Sequence, residues 1–242
     1  MKTICVINLQ DNVCPIDLDK VQPWKRYLRW IFRLIILIAS IYMIFLGGQR
    51  FFGSVALLAL IIMVLPRFFT RNRICVIPVE IEILFLLVIF FELILADASS
   101  FYSRIPYYDK FMHSLVSIIT GLIGMMIIYT FYALGKLRAS LAVMFAIIVL
   151  ITIGLGAIIE MVEFFYDQVL YPILGQYLPT GLTQGAMSAS ALVDTMQDLY
   201  VDTLGALIGA ALGVFFIKRA ENRGKNLEVV EEIEALAGNS KK

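Results

Sequence analysis

Long uninterrupted apolar runs constrain this chain more than any other feature. They occupy roughly residues 27–47, 51–66, 79–97, 110–134, 138–166 and 191–218. A soluble helix needs a polar face, and its apolar residues recur at helical spacing rather than in blocks. Blocks of this kind form spans, since about 20 apolar residues cross about 30 Å of hydrocarbon. Of the 242 residues 60% are hydrophobic and only 16% charged, which agrees. The expected fold is all-α, a polytopic bundle of six transmembrane helices. Residues 1–26 form an N-terminal segment, 27–218 the membrane domain and 219–242 a tail. The first two spans, joined at Gly47-Gly48, are expected to form a hairpin.

Orientation follows from the Lys and Arg residues that short cytoplasmic loops retain. Lys20, Lys25 and Arg26 precede span 1, and Arg67, Arg71 and Arg73 follow span 2. Lys136 and Arg138 separate spans 4 and 5, and Lys218, Arg219, Arg223 and Lys225 open the tail. The alternate loops hold Arg50, then Arg104 and Lys110. Both termini are therefore expected in the cytoplasm. Residues 1–26 lack the apolar core of a cleavable signal, so span 1 is expected to direct insertion. In the tail, Leu227, Val230, Ile233 and Leu236 suggest a short amphipathic helix.

A net charge of +1 gives no electrostatic footprint for nucleic acid. Cys5, Cys14 and Cys75 lack metal-site spacing and fall on the expected cytoplasmic side, where thiols stay reduced.

Ionisable side chains in spans are costly and tend to face a protein interior or a water-filled cavity. Here they are grouped. Asp109 and His113, the only histidine, share a face of span 4. Glu160, Glu163 and Asp167 share one of span 5, and Asp194, Asp198 and Asp202 share one of span 6. With the orientation above, all three sets lie in the outer half of the membrane, and Glu92 of span 3 can join them. Asp194 is expected at the interface and Asp202 about 12 Å deeper. The Asp face continues as Gly205, Gly209 and Gly213, a spacing that lets helices approach closely. Gly121, Gly124, Gly154 and Gly156 are the expected partners.

So many carboxylates require shared protons, cationic neighbours or a metal. His113, Lys110, Arg104 and Arg50 are the cations on that side. Hard oxygen ligands suit Mg²⁺, Mn²⁺ or Ca²⁺. The candidate catalytic residues are His113, Asp109, Glu160 and Asp198, with His113 as base or nucleophile oriented by Asp109 or Asp198. Glu160, Glu163, Asp198 and Asp202 are candidate metal ligands, and Asp194, Arg104 and Arg50 candidate substrate contacts. The 168–190 connector, rich in Pro and Gly, is long enough for a lid or binding segment.

Three segments carry a resemblance: Tyr108-Asp109-Lys110-Phe111-Met112-His113, Gly156 to Phe164 with Glu160 and Glu163, and Asp194 to Ala206 with Asp198 and Asp202. Together they resemble the YjdF-like family of bacterial multi-pass membrane proteins. More distantly the chain is similar to VanZ-like membrane proteins, where Asn stands at the position of Asp202. The resemblance covers roughly residues 80–217 and implies a bacterial inner-membrane protein. The VanZ-like similarity implies chemistry on lipid head groups or lipid-linked phosphate. Membrane lipids are the expected partners. A proton- or cation-coupled transporter and a non-catalytic envelope or sensor protein are the competing readings, and the sequence leaves the oligomeric state open.

Overall fold

The computed structural model describes residues 22–69, 78–97, 101–174, 190–224 and 227. Every element among them is helical. The long helices are α1 (Pro23–Phe45), α2 (Arg50–Phe69), α3 (Val79–Ile89), α5 (Tyr108–Ala133), α6 (Leu141–Phe165) and α8 (Ala191–Asn222). α3 continues as a π-helical segment, Phe90–Asp97, and α6 as another, Tyr166–Leu170. The short helices α4 (Phe101–Arg104) and α7 (Tyr171–Leu174) flank the ends.

These helices fall on the six expected apolar runs. Four stretches are long and apolar enough to cross a membrane: Pro23–Phe45, Tyr108–Ala133, Leu141–Leu170 and Ala191–Asn222. α2 offers only the shorter apolar stretch Arg50–Leu65. Most of the 168–190 connector, the three cysteines and the tail beyond residue 224, apart from Leu227, lie outside the described residues.

The helices begin and end where local chemistry directs. Pro23 opens α1 and Pro78 precedes α3, positions that tolerate a missing N–H. Ser140 caps α6, its hydroxyl accepting from the Val143 N–H at 3.3 Å. Gly48 takes a left-handed conformation (φ 70°) in the α1–α2 turn. A Cβ at Gly53 would lie 2.9 Å from the Ser40 carbonyl oxygen, so the hairpin closes tightly there.

Two groups of helices result. α1, α2 and α3 meet around Ile36, Leu60 and Leu86. α5, α6 and α8 meet around Met125, Tyr129, Met144, Ile148, Ala206, Ala210 and Ile217. Ile81 joins Ile119 and Ile123 between the groups. α8 is inside-out: Asp194, Asp198, Asp202, Gly205, Gly209 and Gly213 are buried, while Leu192, Met196, Tyr200, Leu207, Phe215 and Phe216 face outward. That is the arrangement expected where the surrounding medium is hydrocarbon.

The glycines explain the closeness of α5 and α8. Added Cβ atoms at Gly205 and Gly209 would run into the backbone of α5 at Ser114 and Ile118. Gly121 answers them, facing Ala206 and Ala210. The other three expected partners divide. Gly124 faces Ile148 of α6, and Gly156 makes room for the Asp202 carboxylate. Gly154 has nothing within 4 Å of an added Cβ and takes no part in the crossing.

A buried ionic network absent from the sequence reading joins α1 to α3. Arg33 is paired with Glu82, Arg29 lies 3.6 Å from the same carboxylate, and Lys25 meets Glu80 at 2.6 Å. Arg29, Arg33 and Glu82 are all buried. The available signal was Arg29 and Arg33, one turn apart inside an apolar run. Replacing Glu82 with Gln removes the charge facing both guanidinium groups and is expected to cost about 2 kcal/mol. Thermal unfolding of the detergent-solubilised protein measures it; an unchanged midpoint would show the pairing to be energetically idle.

Candidate functional site

The site lies at one end of the α5–α6–α8 group. α5 contributes Asp109, Lys110, His113 and Ser117. These positions share a helix face because they recur every three or four residues. α6 contributes Glu160 and Glu163 from its last turns, and α8 contributes Asp194, Asp198 and Asp202 from its first three. The start of α5 is fixed by an aromatic cluster. Tyr108 packs edge-on against Phe101 and Tyr102, and its hydroxyl donates to the Phe91 carbonyl at 3.0 Å. Tyr107, just before α5, holds a left-handed backbone (φ 60°) that redirects the chain from α4 into α5.

His113 is the centre. Its Nδ1 lies 3.3 Å from Asp202 Oδ2, and Asp202 Oδ1 accepts from the Ser117 hydroxyl at 2.6 Å. In the neutral tautomer that carries its proton on Nδ1, toward that carboxylate, the lone pair is on Nε2. Around Nε2 stand four carboxylate oxygens from three helices. Glu160 Oε1 is at 3.8 Å; Asp109 Oδ1, Glu163 Oε1 and Asp198 Oδ1 are each at 3.9 Å. These separations exceed hydrogen-bond length. They match the spacing of ligand atoms around a shared ion, each about 2.0–2.6 Å from it. The ligand atoms of Asp109, His113 and Asp198 lie within 4.8 Å of one another, as do those of His113, Glu160 and Glu163.

Lys110 supplies the counter-charge. Its ammonium donates to Asp194 Oδ1 and Asp198 Oδ2 at 2.5 Å each, and to Asp109 Oδ2 at 3.0 Å. It therefore holds α5 to α8 and occupies the outer oxygens of Asp109 and Asp198. A groove of about 620 Å³ lies alongside, between Tyr107 and Lys110 on one side and Leu192, Met196, Gln197 and Tyr200 on the other.

The residues singled out from the sequence separate clearly. His113, Asp109, Glu160, Glu163, Asp198 and Asp202 are brought together, and Asp194 joins through Lys110. Asp202 stands on the Nδ1 side of the ring, so it is the residue that orients His113; Asp109 and Asp198 face Nε2 instead. Asp167 sits in the π-helical turn beyond α6 and is not among the described carboxylates that lie within 4 Å of His113. Glu92 accepts from the Tyr102 hydroxyl at 2.8 Å and is not among them either. Arg104 is exposed on α4. Arg50 is exposed at the start of α2, a helix that packs mainly on α1 and α3. Sequence reasoning missed Ser117, although its spacing from His113 was available as a signal. It reached Lys110 only as a nearby cation.

Neither a curated protein nor a solved structure matches this chain. A family model does, over residues 28–219, which takes in all of the long helices almost completely. The chain belongs to the DUF2238 family of predicted membrane proteins.

Proposed function

We propose that this protein is a membrane-embedded enzyme that hydrolyses or transfers a phosphoester of a lipid head group or lipid-linked intermediate. One observation carries the reading: a buried imidazole, oriented by Asp202 and Ser117, faces four carboxylates at the end of a helix bundle, beside a groove lined largely by apolar side chains. Buried convergent polar groups of this kind suit proton transfer and the positioning of a nucleophile. One of the carboxylates that face Nε2 takes, on an oxygen not turned to the imidazole, the proton of an attacking water or hydroxyl. The nucleophile displaces the ester oxygen, and that proton passes to the leaving alkoxide. Lys110 lines the groove and meets a phosphoryl oxygen by exchanging one of its three carboxylate partners for it, with Arg104 as a further phosphate contact and Asp194 as a contact to a hydroxyl or cationic part of the head group.

Six spans with both termini cytoplasmic, in a bacterial inner membrane, put this site in the outer half of the bilayer. The distribution of Lys and Arg supports that orientation, and the resemblance to YjdF-like and VanZ-like proteins supports lipid-linked chemistry. Lipid profiling of a deletion strain complemented with the wild type, His113→Ala or Glu160→Gln tests the proposal. The wild type is expected to restore the lipid and lipid-linked phosphate profile, and both variants to leave it as in the deletion. Profiles identical in all four strains would overturn the enzymatic reading.

A further inference from the structure

We infer that the His113 site is a divalent-cation centre, in which one ion is held by Nε2 together with carboxylates from α5, α6 and α8. The ion is of the Mn²⁺ class. This deepens the reading above by naming what organises the site, but it rests on the ligand geometry and not on any lipid chemistry.

Acidic clusters are common, and clustering alone identifies nothing. Two further observations separate this one. First, Glu163 Oε1 and Asp198 Oδ1 are buried and have no hydrogen-bond donor among the described residues. Their residues are only 3% and 1% exposed. Both oxygens are directed at the same nitrogen, each 3.9 Å from it. A buried carboxylate oxygen left without a donor is costly, and a cation on that side removes the cost. Second, the imidazole is prepared on its far side. A carboxylate on Nδ1 with its own hydroxyl donor fixes the ring and leaves Nε2 free to donate its lone pair. This is the outer-shell arrangement that accompanies metal-bound histidine. A histidine serving only as a counter-charge would be expected to bring Nε2 within hydrogen-bond reach of one of the four oxygens.

The donor set decides the class of metal. There is no sulfur in it, which disfavours Cu⁺ and structural Zn²⁺. Carboxylates suit Mg²⁺, Ca²⁺ and Mn²⁺, while imidazole is a better ligand for transition ions. One imidazole with several carboxylates meets both preferences in Mn²⁺. Nε2 has one lone pair, so the two overlapping ligand sets around it share a single ion. Lys110 tempers the surplus negative charge by binding the outer oxygens of Asp109 and Asp198, which leaves their inner oxygens for the metal.

Direct metal binding by the full-length protein in detergent tests this. After chelation and desalting, Mn²⁺ is titrated and followed by metal analysis and pulsed EPR. The wild type is expected to bind about one Mn²⁺ per chain, with nitrogen modulation from one imidazole, and to melt at a higher temperature when loaded. Glu163→Gln and Asp202→Asn are expected to weaken binding about 10–100-fold, the first by removing a ligand, the second by releasing the ring. His113→Gln is expected to abolish the nitrogen signal. Asp167→Asn, in the neighbouring turn and not among the described carboxylates within 4 Å of His113, is expected to bind as the wild type does. Absence of stoichiometric Mn²⁺ in the wild type, or equal affinity in Glu163→Gln and Asp167→Asn, overturns the inference. Metal bound with an unchanged lipid profile would leave the centre standing and refute only the lipid reaction. Altered lipids without bound metal would do the reverse.

Discussion

Replacing Gly209 with leucine is expected to prevent α5 and α8 from packing. A Cβ at this position already overlaps the backbone carbonyl of Ile118, which has no rotamer through which to escape. The helices would have to separate, and their interface is the most extensive among the described elements. Overpacking a core usually costs about 1–3 kcal/mol, and a backbone clash at a helix crossing belongs at or above the upper end. Separation would also pull Asp198 and Asp202 from His113, because the same two helices carry them. The expected result is loss of the monodisperse species in size-exclusion chromatography in mild detergent. Gly154→Ala is the matched control. Its Cβ meets nothing within 4 Å, so it should be neutral or gain up to about 1 kcal/mol from helix propensity. A Gly209→Leu protein that melts like the Gly154→Ala protein would show that the crossing is not tight.

The second large effect is expected from Lys110→Met. Among the described residues Lys110 is the one cation bonded to Asp109, Asp194 and Asp198 together, and its side chain is 14% exposed. Methionine keeps most of the length and loses the charge, so three carboxylates lose the cation they share. Removing one member of a buried ion pair typically costs about 3–5 kcal/mol, because the remaining charge is neither paired nor solvated. The loss should be non-additive with Asp194→Asn: the double variant recovers part of it, since one repelling charge has gone. Denaturant unfolding of the two single variants and the double variant measures the coupling. Strict additivity would show that the lysine stabilises only by packing its chain.

Both effects depend on packing that local sequence encodes only in part. Gly205, Gly209 and Gly213 could be read as a close-packing stripe because a repeat of four keeps residues on one helix face. The same rule put Asp194, Asp198 and Asp202 on that face. It could not tell which neighbour each glycine meets. Gly121 and Gly156 both face α8, but Gly124 faces α6 and Gly154 faces no neighbour, although all four are simply small residues in apolar runs. Arg29 and Arg33 were hidden for a related reason. A charge in an apolar run is legible as an anomaly, but its partner Glu82 lies on another helix, 49 residues from Arg33.

By itself the sequence determined the helices, their apolar exteriors and the face on which each acidic residue lies. Those properties depend on residues within a turn or two of one another and on the medium that surrounds the bundle. Only the tertiary structure decided that Asp202 takes Nδ1 while Asp109, Glu160, Glu163 and Asp198 gather at Nε2, and that Lys110 closes the outer side. Asp202 is 89 residues from His113. Their meeting depends on the rotation and axial register of two helices, which the glycine crossing of α5 and α8 sets. A one-residue change in register would turn a helix by about 100° and carry the carboxylates away from the imidazole.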